Sequence, residues 1–174
     1  MRLIIDNNDI KIENDSIELD GIDNDKIIEE VLENKDKRLD VNSLQSQYED
    51  TFVDESESID HLLFKVESEV KTKIDPFLKV DSFWGHILHP QQSTMYHNHK
   101  EMHREGISFV YYAKYPKKSG NLIFDFEVLG KRVCYSYEPQ VGSLVLFPTW
   151  VPHYTSRNVS DDTRISISGN CFPI

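Results

Sequence analysis

Two cysteines, Cys134 and Cys171, are too few for a disulfide framework, and they form no CxxC pair. Both lie in apolar, strand-like contexts, which predicts buried unpaired thiols in a reducing compartment. No run approaches the roughly 18 apolar residues that a membrane span needs. The opening "MRLIIDNNDI" turns acidic at once, unlike a secretory signal. The expectation is therefore a soluble, cytoplasmic chain, in which the Asn-x-Ser sequons at Asn14 and Asn158 carry no meaning. Base is also scarce: 19 Lys and Arg against 30 Asp and Glu give a formal charge of −11. That balance argues against a membrane surface or a nucleic acid as partner. Internal repeats and low-complexity linkers are absent. What remains, 174 residues with 39% hydrophobic and 11% aromatic side chains, suffices for one domain spanning 1–174 with its own core.

The chain changes texture near residue 80. Residues 1–80 form an acidic part with helix-period apolar positions, and residues 81–174 alternate short β-rich runs with turns. In "IDNDKIIEEVLENK", Ile27, Ile28, Val31 and Leu32 share one helical face, and Asp23 or Asp25 is placed to cap it. In "SESIDHLLFKVESEVKTKI", Ile59, Leu62, Leu63, Val66 and Val70 follow the spacing of a buried stripe, with Lys71 and Lys73 suiting the end of the dipole. Downstream, "DSFWGHILH", "ISFVYYAKY", "NLIFDFEV", "KRVCYSY", "GSLVLFP" and "RISISGNCF" read as strands. So many short strands predict a sandwich or barrel. The fold class expected is mainly β with flanking helices, an α+β arrangement with the helices packed on the larger sheet.

Three of the seven histidines fall in "YHNHKEMH", residues 96–103. On a strand, residues i and i+2 face the same side, so His97 and His99 can offer two imidazoles to one point. A third candidate is His153, after a turn, an apolar strand and a Pro-bracketed loop; a rolled sheet can return it beside the first two. Further on, "RISIS" sets Arg164 and Ser166 on one face of a strand otherwise made of isoleucine. An arginine turned into an apolar interior requires an anion, and a carboxylate can take two parallel hydrogen bonds from it and a third from Ser166. The competing readings are surface histidines and an outward Arg164 paired with an acid.

These motifs together, with "VNSLQSQY", "SFVYYAKYPKKSGNLIFDF", "PQVGSLVLFPTWVPHYTSRN" and "TRISISGN", resemble the Fe(II)- and 2-oxoglutarate-dependent oxygenases of bacteria and tailed phages, distant relatives of prolyl hydroxylases. The resemblance covers about residues 40–174, and its most specific piece is G-S-L-V-L-F-P-x-x-x-x-H followed by R-I-S-I-S. It implies a double-stranded β-helix (jelly-roll) barrel, and a phage-encoded chain would work in the host cytoplasm. It also implies Fe(II), 2-oxoglutarate and O2 as cofactor and cosubstrates, and His97, His99 and His153 as metal ligands at the catalytic centre. Arg164, assisted by Ser166, would take the distal carboxylate of 2-oxoglutarate. Tyr96, and one of Tyr111 and Tyr112, would add a hydroxyl, Tyr112 being the one selected. The activity implied couples decarboxylation to succinate with hydroxylation of an unidentified small molecule or protein side chain. Oligomeric state is left open.

Two departures from the family pattern stand out. Position 99 is histidine where most such oxygenases carry the carboxylate of a 2-His-1-carboxylate triad, so Glu101 or Glu105 are candidates to supply one and His103 is a candidate replacement ligand. Ser108-Phe109 stands in place of a Ser-Gly pair, a change expected to narrow the cavity. His86 and His89 in "GHILHP" read as a core-edge imidazole and a turn residue, and His61 as exposed. The alternative function is a cupin-like jelly roll that binds metal or ligand without 2-oxoglutarate turnover; a blander one is a metal-free β-sandwich interaction module. Arg164-x-Ser166 discriminates the oxygenase from the cupin. Lys114, Lys117 and Lys118 are the one candidate basic patch.

Overall fold

The computed structural model describes residues 2–6, 9–13, 16–36, 49–100 and 105–174. In chain order the elements are β1 (Arg2–Asp6), β2 (Asp9–Glu13), β3 (Ile17–Glu18), α1 (Asn24–Glu33), β4 (Glu49–Thr51), α2 (Glu57–Lys73), β5 (Leu78–Leu88), β6 (Ile107–Lys114), β7 (Leu122–Val128), β8 (Lys131–Tyr137), β9 (Ser143–Pro148), β10 (His153–Thr155) and β11 (Arg164–Pro173). A six-stranded antiparallel sheet runs β3-β9-β6-β11-β5-β4, a three-stranded sheet runs β10-β7-β8, and β1 and β2 make a hairpin. This is the double-stranded β-helix architecture, with helices against the larger sheet. Among the described residues no helix is long and apolar enough to cross a membrane.

Both helices form where the apolar spacing and caps place them. The Asp23 side chain accepts from the backbone N–H of Lys26 at 3.1 Å, and Ser56 accepts from Ile59 N–H at 3.1 Å. Ile27 and Val31 of α1, and Ile59, Leu62, Val66 and Val70 of α2, are fully buried on the outer face of the six-stranded sheet. The carboxylate of Glu30 accepts from the hydroxyls of Ser56 at 2.8 Å and Ser58 at 2.7 Å, so a residue of α1 fastens the first turn of α2.

Alternation along β11 separates the two faces. Ile165, Ile167 and Cys171 enter the core beneath the helices, whereas Arg164 and Ser166 face the space between the sheets. The second core, with Tyr112, Phe124, Val145 and Phe147, fills part of that space. Phe109 pairs across the sheet with Gly169 and belongs to the helix-side core, so its ring occupies room that a missing Cβ leaves. Phe109 also borders the cavity, so the ring bounds it from the large sheet. A Cβ on Gly169 would collide with the Ser82 carbonyl oxygen and lie 2.5 Å from Phe109 Cζ. Gly169→Ala is expected to destabilise the fold by about 1–3 kcal/mol through overpacking, read as a lower urea midpoint at unchanged slope.

Residues before position 80 do more than support the barrel from outside, because β3 and β4 join the edges of the large sheet. The thiols also part company. Cys171 is buried, and burial pushes its thiol up to about 12, but Cys134 is exposed because β8 lies at the edge of the small sheet and turns that side outward. A disulfide reagent at pH 8 should therefore titrate one thiol in the folded chain and two in denaturant. Asn158 is buried, donating from its amide to the carbonyls of Leu88 at 3.0 Å and Asp162 at 2.9 Å; Asn14 lies outside the described residues.

Candidate metal centre

The segment around the HxH motif is not a regular strand. It makes a single antiparallel bridge, His97 to His153, closed by two backbone hydrogen bonds of 3.1 and 2.8 Å. His99 N–H then donates to the Thr149 carbonyl at 2.9 Å, so residues 97–99 run along the loop that follows β9. This keeps the i, i+2 relation that two imidazoles need, without a strand around it. The three rings meet, with centroids 4.4 Å apart for His97 and His153, 4.9 Å for His97 and His99, and 5.1 Å for His99 and His153. One ligand nitrogen from each lies within 4.8 Å of the others, a span that a single ion can bridge.

Hydrogen bonds select the nitrogen that would bind. His97 Nδ1 donates to the Met95 carbonyl at 2.8 Å and His153 Nδ1 to the Val151 carbonyl at 3.0 Å. A carbonyl only accepts, so Nδ1 carries the proton and Nε2 keeps its lone pair. Burial, reinforced by the neighbouring His97, lowers His99 to about 4 and His153 to about 3. Both imidazoles are thus neutral near pH 7, the form that coordinates a metal.

A cavity of about 460 Å³ opens from the triad between the two sheets. Deep in it lies Arg164, 2% exposed. Its guanidinium donates to the Gly120 carbonyl and the Thr155 hydroxyl, both at 3.2 Å, and sits 5.5 Å over the Tyr112 ring. No carboxylate pairs with it among the described residues, and its Nε and the Ser166 hydroxyl are buried there without partners. Such a cation with spare donors is costly unless an anion fills the space. Three converging imidazoles beside a guanidinium without a carboxylate partner among the described residues fit a divalent ion together with a chelating carboxylate ligand.

The structure also sorts the tyrosines and the histidines. Tyr112 lines the cavity, and burial raises its hydroxyl, which stays a neutral donor. Tyr111 points to the helices and donates to Asn24 Oδ1 at 2.7 Å. Tyr96 is 58% exposed, donates to the Asp125 carbonyl at 2.8 Å and does not line the cavity. Its hydroxyl is spent on the small sheet, away from Arg164. Glu105 is exposed and outside the cavity, while Glu101 and His103 lie outside the described residues. Of the basic candidates, Lys114 is taken up by Asp162 at 2.8 Å.

His86 is more than a core-edge imidazole. It lines the cavity with Nδ1 2.7 Å from Asp50 Oδ1, and burial lowers its pKa although Asp50 opposes the shift. Asp50 was not foreseen: it sits on three-residue β4, too short for any periodic signal, and among the described residues it is the carboxylate that lines this cavity, without being one of the clustered ligand groups.

Fold and site together define a β-helix protein whose cavity holds three clustered histidines, a set that could hold a metal ion, beside a buried arginine. A family model described as "Putative 2OG-Fe(II) oxygenase" matches residues 82–170, and the chain belongs to that family. Among solved structures it is similar to a Pseudomonas putida prolyl-4-hydroxylase, with 18% identity over 86% of this chain and 84% of the other, at a TM-score of 0.62. The viral collagen prolyl hydroxylase of Paramecium Bursaria Chlorella virus-1, solved with 2-oxoglutarate, matches at 16% over 92% and 96%, TM-score 0.66. The carbocyclase SnoK of nogalamycin biosynthesis matches at 14% over 89% and 76%, TM-score 0.69. At these identities the likeness is one of fold. No curated protein matches by sequence.

Proposed function

We propose that the chain is a 2-oxoglutarate- and Fe(II)-dependent dioxygenase of the hydroxylase type, with His97, His99 and His153 as the iron ligands. The observation that carries this reading is the meeting, in one cavity, of three imidazoles within 4.8 Å and a buried arginine that has no carboxylate partner among the described residues. Bound there, Fe(II) with 2-oxoglutarate and O2 supplies oxidative decarboxylation to succinate and carbon dioxide, with one oxygen atom delivered to a substrate C–H bond.

The chain's own residues do the rest. Arg164 and Ser166 donate to the distal carboxylate of the cosubstrate from one strand face, and Tyr112 lies beneath the guanidinium. The carbonyls of Met95 and Val151 hold two ligand rings in one tautomer. Val110, Leu122 and Phe147 line the cavity with apolar surface and keep bulk water from the reacting atoms. With three neutral ligands the ion retains its full charge, which favours an anionic chelator. The substrate is a small molecule or a protein side chain.

A jelly roll that binds metal without turnover shares the three-histidine set, but it gives no reason to bury Arg164 with open donors. Succinate release from 2-oxoglutarate with Fe(II), compared between the wild type and Arg164→Ala, tests the choice. Metal binding indifferent to 2-oxoglutarate, with no succinate formed, would sink the oxygenase reading.

A further inference from the structure

The cavity has two chemically opposite walls. Arg164 and Ser166 form a cationic, donor-rich one. Across the large sheet, in the register Asp50–His86–Ser166–Tyr112, the row ends on a carboxylate at the edge strand β4. A dianionic cosubstrate that places its distal carboxylate on Arg164 leaves the Asp50 wall free, and pockets for drug-sized ligands run roughly 300–1,000 Å³, so 460 Å³ accommodates a second group.

The fold invests in placing that carboxylate. On β4, Asp50 lines the cavity. Thr51, fully buried, donates from its hydroxyl to the Asn34 carbonyl and, with Val53 and Val31, covers Gly85, where an added Cβ would lie 2.9–3.0 Å from their methyl groups. The glycine lets β4 sit tight on β5. His86 then engages Asp50 Oδ1, and Oδ2 has no donor among the described residues. No lysine or arginine pairs with Asp50 among them either. Two residues from His86 on the same strand face, Trp84 lines the cavity too, its indole 5.5 Å from the His99 ring. A carboxylate acceptor and an indole face are the two elements that recognise an organic cation. The net charge of −11 would also draw a cation inward.

We propose that Asp50, oriented by His86 and assisted by Trp84, binds the prime substrate, and that this substrate carries an alkylammonium or guanidinium group. The inference rests on the oxygenase reading for where the chemistry happens. The cation anchors on the Asp50 wall, and the carbon chain bearing it runs toward the three histidines.

The test is calorimetric titration of protein holding Ni(II), which cannot turn over, and 2-oxoglutarate. Probes are lysine and arginine against norleucine, and Gly-Lys-Gly and Gly-Arg-Gly against their norleucine counterpart, so that free amines and basic side chains are separated. The cationic member of at least one set should bind about tenfold or more tighter than its neutral partner. Asp50→Asn should erase that preference, Trp84→Leu should weaken it, and Asp50→Glu should retain it. Equal binding of cationic and neutral probes overturns the inference, as does a preference that survives Asp50→Asn at an unchanged thermal midpoint. Should Asp50→Asn fail to fold, an unaltered preference in Trp84→Leu overturns it. A cation preference without 2-oxoglutarate binding or succinate formation would refute the oxygenase reading and leave the Asp50 assignment standing; the reverse pattern refutes the assignment alone.

Discussion

Arg164→Ala should weaken 2-oxoglutarate binding by about a hundredfold or more, since removing one partner of a buried, hydrogen-bonded charge pair costs roughly 2–5 kcal/mol. Arg164 is the charged group aimed from β11 into the cavity, and Tyr112 and Ser166 around it are neutral donors. Among the described residues that line the cavity there is no second lysine or arginine to substitute. Lysine at this position should recover only a small part of the loss, because it offers a point charge without the planar fork that already engages Gly120 and Thr155. Titration calorimetry of the Mn(II)-loaded protein checks both variants. Metal affinity measured before the cosubstrate is added should stay close to wild type, which separates the anion pocket from the metal centre. An unchanged 2-oxoglutarate affinity in Arg164→Ala would remove the main physical support for the proposed function.

The second large effect is expected at His153. It is the buried member of the triad, and its backbone also holds His97 in place. His153→Ala removes one of the three proposed ligands while leaving the backbone pairing of β10 in place. A ligand held at a hundred times its dissociation constant stabilises a fold by about 2.7 kcal/mol, which for a chain of this size corresponds to roughly 5–10 °C in thermal midpoint. That shift on adding Fe(II) or Mn(II) should appear in the wild type and vanish in His153→Ala. An equal shift in both proteins would place the ion elsewhere.

Much of the scaffold is legible in the sequence because its signals are local. Apolar spacing announces α1, with Asp23 among its candidate caps, and α2, and β-branched runs bounded by turn residues announce β5 to β9 and β11. The histidine triad is half legible. His97 and His99 declare themselves by spacing, but their backbone is a bridge and a loop contact where the reading placed a strand. His153 was a candidate from its context and became an expected ligand only through the resemblance, since nothing local says that the loop after β9 returns beside residue 97. The least legible parts are β3 and β4. A strand of two or three residues has no period, and its pairing partner is chosen by tertiary contacts such as those over Gly85. Asp50 was invisible for that reason, although it sits in the same cavity as the ligands. Tyr96 shows the opposite error: adjacent to a ligand in sequence, it turns to the far side because neighbours along an extended backbone diverge.

The mutual backbone bonds of His97 and His153 close a large ring of chain that contains β6 to β9, and so strands from both sheets. An ion held by both imidazoles acts on this ring as a cross-link. A permanent covalent link around a loop of this order is worth about 4 kcal/mol through the entropy it removes from the unfolded chain. A metal link is conditional, present only while three neutral nitrogens converge. An ion bound there would be a removable rivet at the point where the two sheets meet, and the group that would equip the cavity for chemistry would also decide how tightly the cavity is held shut.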